Sequence, residues 1–195
     1  RVDTLSILPA SQTRDKDALT KEGVGQIIEE LSQEFDYILC DSPAGIEHGA
    51  MMALHHADHA LVVCNPEVTS VRDADRIMGY IAARSRRAQD GLAPVREHLL
   101  VTRFSEERAR RGEMMSLAEI QDILAMPLLG VVPESRDVLR ASNAGRPASL
   151  DAGSEPARAY RAAVARFLDL SRPVPARRPA LAPGLLANLA GTVQR

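Results

Sequence analysis

The residues that could do chemistry are concentrated where one apolar run ends in polar residues. Residues 35–45 read Phe-Asp-Tyr-Ile-Leu-Cys-Asp-Ser-Pro-Ala-Gly, which predicts a buried strand that carries Asp41 to a loop containing Gly45. At the carboxyl end of a parallel strand, a carboxylate can position a metal ion and a glycine N–H can approach a phosphate. The stretch therefore indicates a nucleotide site, and the alternative is an aspartate that only caps the next helix.

Other candidate sites are weaker. Four histidines lie close together, at His48, His55, His56 and His59. No cysteine or arranged carboxylate accompanies them, so a metal site is disfavoured. Ser42 lacks the G-x-S-x-G spacing of a nucleophile elbow. Residues 21–26 faintly resemble a phosphate loop, but they follow no predicted strand and continue a helical period, which argues against a Walker A motif.

Strands and helices are predicted to alternate along the chain and to position these groups. Short apolar runs predict strands at 5–8, 35–40, 59–64, 98–102 and 128–132. Helical spacing predicts helices at about 24–31, 46–56, 70–87, 115–124, 134–143 and 155–170, and 103–112 is predicted to be a charged loop. Near-continuous apolar strands between helices are typical of a parallel sheet covered on both faces. The predicted fold class is therefore α/β with a doubly wound, mostly parallel sheet.

Composition limits the classes of function. The chain has 195 residues, 45% of them hydrophobic, enough for one core, and its net charge of −2 argues against a broad basic surface for nucleic acid. The two cysteines, Cys40 and Cys64, both end apolar runs and are predicted to be buried core residues in a reducing compartment. No apolar run has transmembrane length, so membrane contact is expected to be peripheral.

Several longer stretches carry a family resemblance. They are residues 7–20, 40–47, 65–68, 70–73 and 138–143. Together they resemble the septum site-determining MinD ATPases, of the deviant Walker A group of P-loop ATPases, over about residues 4–170. The resemblance implies an ATP hydrolase of the P-loop NTPase fold that uses ATP and Mg²⁺ and forms a homodimer when ATP is bound. It also implies a protein that is cytoplasmic and peripheral to the anionic inner membrane, recruits MinC, is stimulated by MinE and binds no specific nucleic acid.

The resemblance also assigns roles to single residues. Asp41 is expected to be the Walker B aspartate that holds Mg²⁺ through water, and Gly45 the switch II glycine beside the γ-phosphate. The edge that binds the adenine base is expected to contain Arg103, Pro133 and Glu134. The dimer and partner interface is expected to contain Ser70, Arg72, Asp73, Asp75, Met114 and Asn143.

The chain departs from the family in its first residues and in its tail. The Walker A loop of the family lies upstream of residue 1, so we expect residues 1–170 to be the carboxyl-terminal part of an ATPase domain that does not hydrolyse ATP by itself. Residues 171–182 read as a Pro- and Arg-rich linker. Residues 183–195 are expected to be an amphipathic membrane-targeting segment with an apolar side formed by Leu185, Leu186, Leu189 and Val193.

Other interpretations stay open. A ParA-like partition ATPase that acts on nucleoid DNA would share much of the pattern, as would a nucleotide-free adaptor that keeps only the partner-binding helix. Without the resemblance, the charged start of the helix near residue 70 reads as a solvated face with an Arg72–Asp75 pair.

Overall fold

The computed structural model describes residues 4–9, 20–42 and 48–168. The described strands are β1 (His59–Cys64), β2 (Arg96–Phe104) and β3 (Leu128–Pro133). The described α-helices are α1 (Lys21–Ser32), α2 (His48–His55), α3 (Val68–Arg84), α4 (Arg86–Gln89), α5 (Glu106–Arg110), α6 (Leu117–Leu124), α7 (Arg136–Asn143) and α8 (Glu155–Leu168). A short 3₁₀ turn, Ala148–Leu150, lies between α7 and α8. None of the described helices is long and apolar enough to span a lipid bilayer.

The three strands form one parallel sheet in the order β1-β2-β3. Val62 pairs with Leu99 and Leu100 with Gly130, and the β2–β3 register shifts twice. Parallel neighbours need a crossover, which α3 and α4 supply between β1 and β2, and α5 and α6 between β2 and β3. The predicted α/β fold class with a parallel sheet is confirmed.

The larger core lies between one face of the sheet and helices α3 and α6. It contains buried side chains of Val62, Cys64, Val71, Ala74, Leu99, Val101, Ile120, Leu124 and Met126. These residues recur every second position in β1 and β2 and with helical spacing in α3 and α6, so each element buries one side. Cys64 is a buried core residue as predicted, whereas Cys40 is exposed.

Helix α8 covers the opposite face, mainly over β3. Its Ala163 packs against Leu100, Leu129 and Val132, and the guanidinium of Arg166 donates to the carbonyl oxygen of Leu129 at 2.5 Å. The cover does not extend across β1, where burial alternates strictly. Leu61 and Val63 are therefore about half exposed, at 49% and 53%. Helices thus lie on both faces, and β1 is covered on one side only by the described residues.

Side-chain caps set the starts of several helices. Serine or threonine oxygens accept from backbone N–H groups at Thr20, Ser85, Ser105, Ser116 and Ser135. At Ser116 the cap is a complete capping box with Glu119, whose pKa is lowered by the hydrogen bonds from Ser116. Ser85 interrupts the helix predicted over 70–87 and divides it into α3 and α4. The predicted charged loop contains α5, which Ser105 caps.

Two adjacent histidines attach α2 to its neighbours. Nδ1 of His55 lies 3.1 Å from the carbonyl oxygen of Arg84 at the end of α3, and Nε2 of His56 lies 2.8 Å from that of Lys21 in α1. A Cβ at Gly25 would lie 2.8 Å from the ring of His56, so glycine allows α1 to approach this closely. His55 and His56 therefore hold α2 against α3 and α1, and they do not form the metal cluster considered in the sequence analysis.

Two predicted strands are wrong. Residues 5–8 have no regular secondary structure, and Leu5, Ile7 and Leu8 are exposed. Residues 35–40 are likewise not a strand, and Leu39 is 85% exposed. The physical reason is that an extended segment becomes a strand only when a neighbour accepts its backbone hydrogen bonds, and no described strand pairs with either segment.

Candidate functional site

The carboxyl edge of the sheet brings together the residues predicted to contact a nucleotide base. Phe104, at the end of β2, is in register with Pro133, at the end of β3. The N–H of Glu134 donates to the carbonyl oxygen of Phe104 at 2.9 Å, which continues the pairing past the strand. Arg103, Pro133 and Glu134 therefore lie on neighbouring strand ends, at the edge where open α/β sheets bind ligands.

Arg103 has an unusual backbone conformation at this edge. Its φ is +56°, in the left-handed region that costs a residue with a Cβ about 1–2 kcal/mol. Its side chain is exposed and forms no hydrogen bond or ion pair with any described residue. Strained non-glycine residues cluster at ligand sites, and a free guanidinium is a donor that can serve a ligand. Both observations support Arg103 as a candidate binding residue.

Arg108 links the loops that follow β2 and β3. Its Nη1 donates to Oε2 of Glu134 at 3.1 Å, and its Nε lies 3.4 Å from Oε2 of Glu113. The hydrogen bond to Glu134 is the main cause of a raised pKa for Arg108. Sequence reasoning missed this residue, because Arg108 and Glu134 are 26 positions apart and no local pattern connects them. The carboxylate of Glu134 is thus oriented by the neighbouring loop.

The turn between β1 and α3 is tied to β2 by Asn65. Oγ1 of Thr102 donates to Oδ1 of Asn65 at 3.0 Å, and the N–H of Asn65 donates to Oγ of Ser70 at 3.0 Å. The next residue, Pro66, accepts from the N–H of Met115 at 3.0 Å. The sequence placed Asn65 in a stretch that resembles the MinD ATPases but gave it no role, and the structure shows that it bridges β2 and α3. We call Asn65, Thr102 and Ser70 the edge joint.

The predicted partner residues are mostly on α3. Arg72, Asp73 and Asp75 are all exposed on its first two turns. The ion pair on this face joins Asp73 to Arg76 at 3.6 Å rather than Arg72 to Asp75. This pair is highly exposed, so it contributes little to stability and leaves the face open to a partner.

The two remaining interface predictions have different outcomes. Met114 lies near the start of α3, because the next residue donates to Pro66, and its Sδ accepts from the N–H of Ser105 at 3.4 Å. Asn143 is exposed at the end of α7. No hydrogen bond or ion pair among the described residues joins Asn143 to α3. The structure therefore brings Met114 to the α3 region, whereas no described polar contact places Asn143 there.

The predicted phosphate and metal groups are not assembled by the described residues. Asp41 is exposed, follows the unpaired segment 35–40 and has no hydrogen bond or ion pair to the carboxyl edge. Gly45 lies outside the described residues, as do Leu185, Leu186, Leu189 and Val193 in the predicted membrane segment. Within the described ranges, no group of three potential ligands could hold a metal ion. The described part of the carboxyl edge is thus a candidate nucleoside site and does not contain a complete set of magnesium ligands.

A histidine pair lies at the opposite edge of the sheet. Nδ1 of His59 lies 3.1 Å from Nε2 of His98, the rings are stacked, and Phe167 meets both rings edge-on. Burial lowers the pKa of both histidines, helped by the positive charge of Arg96. Nδ1 of His98 is buried and has no hydrogen-bond partner among the described residues. The pair favours neutral rings and anchors the end of α8.

Comparison with known proteins finds relatives among the septum site-determining proteins. No family model matches the chain. It is 53% identical over 174 residues to septum site-determining protein MinD of Escherichia coli K12, covering 89% of the chain and 64% of that protein. It is 55% identical over 173 residues to the MinD of Neisseria meningitidis serogroup B, covering 87% and 64%. The chain therefore spans slightly less than two thirds of the length of these curated relatives.

Solved structures agree with the sequence relatives. The MinD cell division protein of Aquifex aeolicus has a TM-score of 0.68 at 34% identity, covering 82% of this chain and 64% of that one. The MinC:MinD complex from Aquifex aeolicus gives a TM-score of 0.65 at 34% identity, with coverages of 82% and 63%. MinD of Pyrococcus horikoshii complexed with Mg-ADP gives 0.64 at 25% identity, with 78% and 58%. By these identities and the shared fold, the chain is similar to the septum site-determining MinD proteins over most of its own length.

Proposed function

We propose that the chain is part of a Min-system ATPase that places the division septum. The observation that carries the proposal is the 53% identity to MinD over 89% of the chain, together with a fold that matches MinD structures. Because the chain spans 64% of those relatives, ATP hydrolysis is proposed for the whole protein rather than for these 195 residues.

The nucleoside of ATP is proposed to bind at the carboxyl edge. Arg103 offers guanidinium donors, and Glu134, held by Arg108, offers a carboxylate acceptor that suits an amino or hydroxyl group. Pro133 supplies an apolar surface next to them. A MinD structure with Mg-ADP supports a nucleotide ligand for the family fold.

Asp41 and Gly45 are proposed to act on the phosphate side in the whole protein. Mg²⁺ there would neutralise phosphate charge, and it commonly needs only one or two protein carboxylates. Since the described residues do not bring Asp41 to the edge, they do not fit a complete metal site and no catalytic step is derived through the ion. The contribution of the described residues is to bind and orient the nucleoside.

The exposed face of α3 is proposed to bind MinC. Arg72, Asp73 and Asp75 present charges of both signs there, and a solved MinC:MinD complex supports MinC as the kind of partner. Dimerisation with ATP, stimulation by MinE and peripheral attachment to the cytoplasmic side of the inner membrane are further proposals. They rest on the family resemblance, with residues 183–195 as the membrane segment.

Binding of purified MinC to the 195-residue chain tests the partner proposal. Asp75→Lys reverses a charge on the α3 face and should weaken binding at least about tenfold, as expected when a favourable charge contact becomes a like-charge contact. Asp122→Lys, at an exposed position on α6, is the matched control and should bind like the wild type. Equal affinities for all three chains would refute α3 as the MinC surface.

The nucleotide proposal has its own test. A fluorescent ADP analogue with Mg²⁺ is titrated into the chain, into Arg103→Ala and into the control Arg110→Ala, which alters an exposed ion pair with Glu106. Arg103→Ala should weaken binding about tenfold, because a charged hydrogen bond to the ligand is lost. Identical affinities for Arg103→Ala and the wild type would remove Arg103 from the site. Absence of nucleotide binding in the wild type would refute a nucleoside site built from these residues alone.

A further inference from the structure

The edge joint lies between the two candidate surfaces. Thr102 directly precedes Arg103, the strained residue at the proposed nucleoside edge. Ser70 lies in the first turn of α3, two positions before the first of the exposed charges proposed to bind MinC. Asn65 contacts both sides, through its side-chain oxygen to Thr102 and its backbone N–H to Ser70. Two hydrogen bonds of 3.0 Å thus connect the ends of β1 and β2 with the start of α3.

Three backbone hydrogen bonds also hold the turn around Asn65, and one of them joins the N–H of Met115 to the carbonyl oxygen of Pro66 at 3.0 Å. The N–H of Glu67 donates to the carbonyl oxygen of Asn65 at 2.8 Å, and the N–H of Val71 donates to that of Glu67 at 3.0 Å. Glu67, the N-cap of α3, makes no side-chain capping bond. Thr20, Ser85, Ser105, Ser116 and Ser135 supply that bond at other described helices, so the start of α3 is held by the edge joint together with these backbone hydrogen bonds.

We propose that Asn65 is a positioning residue that fixes the first turn of α3 against the end of β2, and so holds the partner-binding face in place relative to the nucleoside edge. The side chain of Asn65 is partly buried, where a lost hydrogen-bond partner is not fully replaced by water. The inference rests on the proposed function for what the two surfaces bind. The connection between β2 and α3 is given by the hydrogen bonds of the edge joint.

Amide hydrogen exchange in the 195-residue chain tests whether the Asn65–Thr102 hydrogen bond of the edge joint holds the start of α3. Thr102→Val keeps the branched shape of the side chain but removes the hydroxyl donor, leaving Oδ1 of Asn65 without it. The amides of Asn65, Glu67 and Val71 should then exchange about two- to tenfold faster, the range expected for one net hydrogen bond. Thr102→Ser keeps the donor and should restore slow exchange at these amides.

A general loss of stability would speed up amide exchange throughout the chain rather than only at the start of α3. Amides of α8, on the opposite face of the sheet, should exchange at the wild-type rate in Thr102→Val. Asn65→Leu should reproduce the effect of Thr102→Val, and the double variant should add little, because both changes remove the same bond. Unchanged exchange at Asn65, Glu67 and Val71, equal acceleration in α8, or equal acceleration in Thr102→Ser would each overturn the proposal.

Binding of MinC to the same variants connects the joint to function. Thr102→Val should weaken MinC binding about two- to tenfold while Thr102→Ser binds normally, since α3 is then less often held in its binding position. Equal MinC binding by both variants would overturn the positioning of the partner face. If the wild-type chain itself does not bind MinC, the proposed function fails, and the exchange data still decide whether Asn65 fixes α3.

Discussion

Replacing Gly130 with alanine tests how the sheet is covered. Gly130 lies in β3, and a Cβ built there would lie 3.0 Å from Cβ of Ala163 in α8 and 3.5 Å from Cδ1 of Leu100. Carbon atoms pack best at about 3.5–4.0 Å, so α8 would have to move away by roughly half an ångström. Overpacking of this kind costs about 1–3 kcal/mol, and the lower chain entropy of alanine offsets about 0.4–1 kcal/mol. We therefore expect Gly130→Ala to lower the free energy of unfolding by about 1–2 kcal/mol.

Urea unfolding followed by far-UV circular dichroism measures this effect in a chain without tryptophan. The control is Gly79→Ala in α3, where a Cβ meets nothing within 4 Å, and it should raise the free energy of unfolding by about 1 kcal/mol. Repeating Gly130→Ala in an Ala163→Gly background removes the Cβ of residue 163, so the loss of unfolding free energy caused by Gly130→Ala should disappear there. The reasoning is refuted if Gly130→Ala is as stable as the wild type, or if its cost is the same in both backgrounds.

Three further predictions concern the other local features. The lowered pKa values of His59 and His98 mean that, below their ordinary pKa of about 6.5, protons bind preferentially to the unfolded chain. Stability should therefore fall as the pH decreases from about 7 to 5.5, and it should fall less in His98→Gln. A urea unfolding midpoint that does not change with pH over this range would contradict this prediction. Ser116→Ala should cost about 1 kcal/mol in urea unfolding because the capping box of α6 is lost, whereas Ser116→Asp should keep most of the stability. Arg103→Gly should raise the free energy of unfolding by about 1 kcal/mol by relieving positive φ while weakening ADP binding, and a stability no higher than that of Arg103→Ala would argue against strain.

Much of the fold could be predicted because its elements bury one side each. Periodic apolar residues predict β1, β3, α3 and α6 within a few positions of their observed bounds. The S-x-x-E pattern at Ser116 is visible in the sequence and marks the start of α6. Residues 35–40 have a similar apolar pattern but no pairing strand among the described residues, and apolar character alone cannot show whether a partner is present.

The candidate site was predictable in part. Strand ends at Arg103 and Pro133 follow from the element pattern, and the family resemblance gave them a role. The contacts that join the edge could not be inferred, since Thr102 and Asn65 are 37 positions apart and come together only through the β1–β2 register. Arg108 was missed for the same reason, because a long-range ion pair leaves no periodic signal.

The strand order β1-β2-β3 has a consequence for how the chain folds as it is synthesised. β2 pairs with β1 and β3 pairs with β2, so none of the described strands has to insert between two that are already paired. The crossovers contain helices that can form locally, and connections of this kind lower the entropic barrier to parallel pairing. The three described strands can therefore be added to the sheet in the order in which they leave the ribosome, and α8 is the last described element to pack, on the second face over β3.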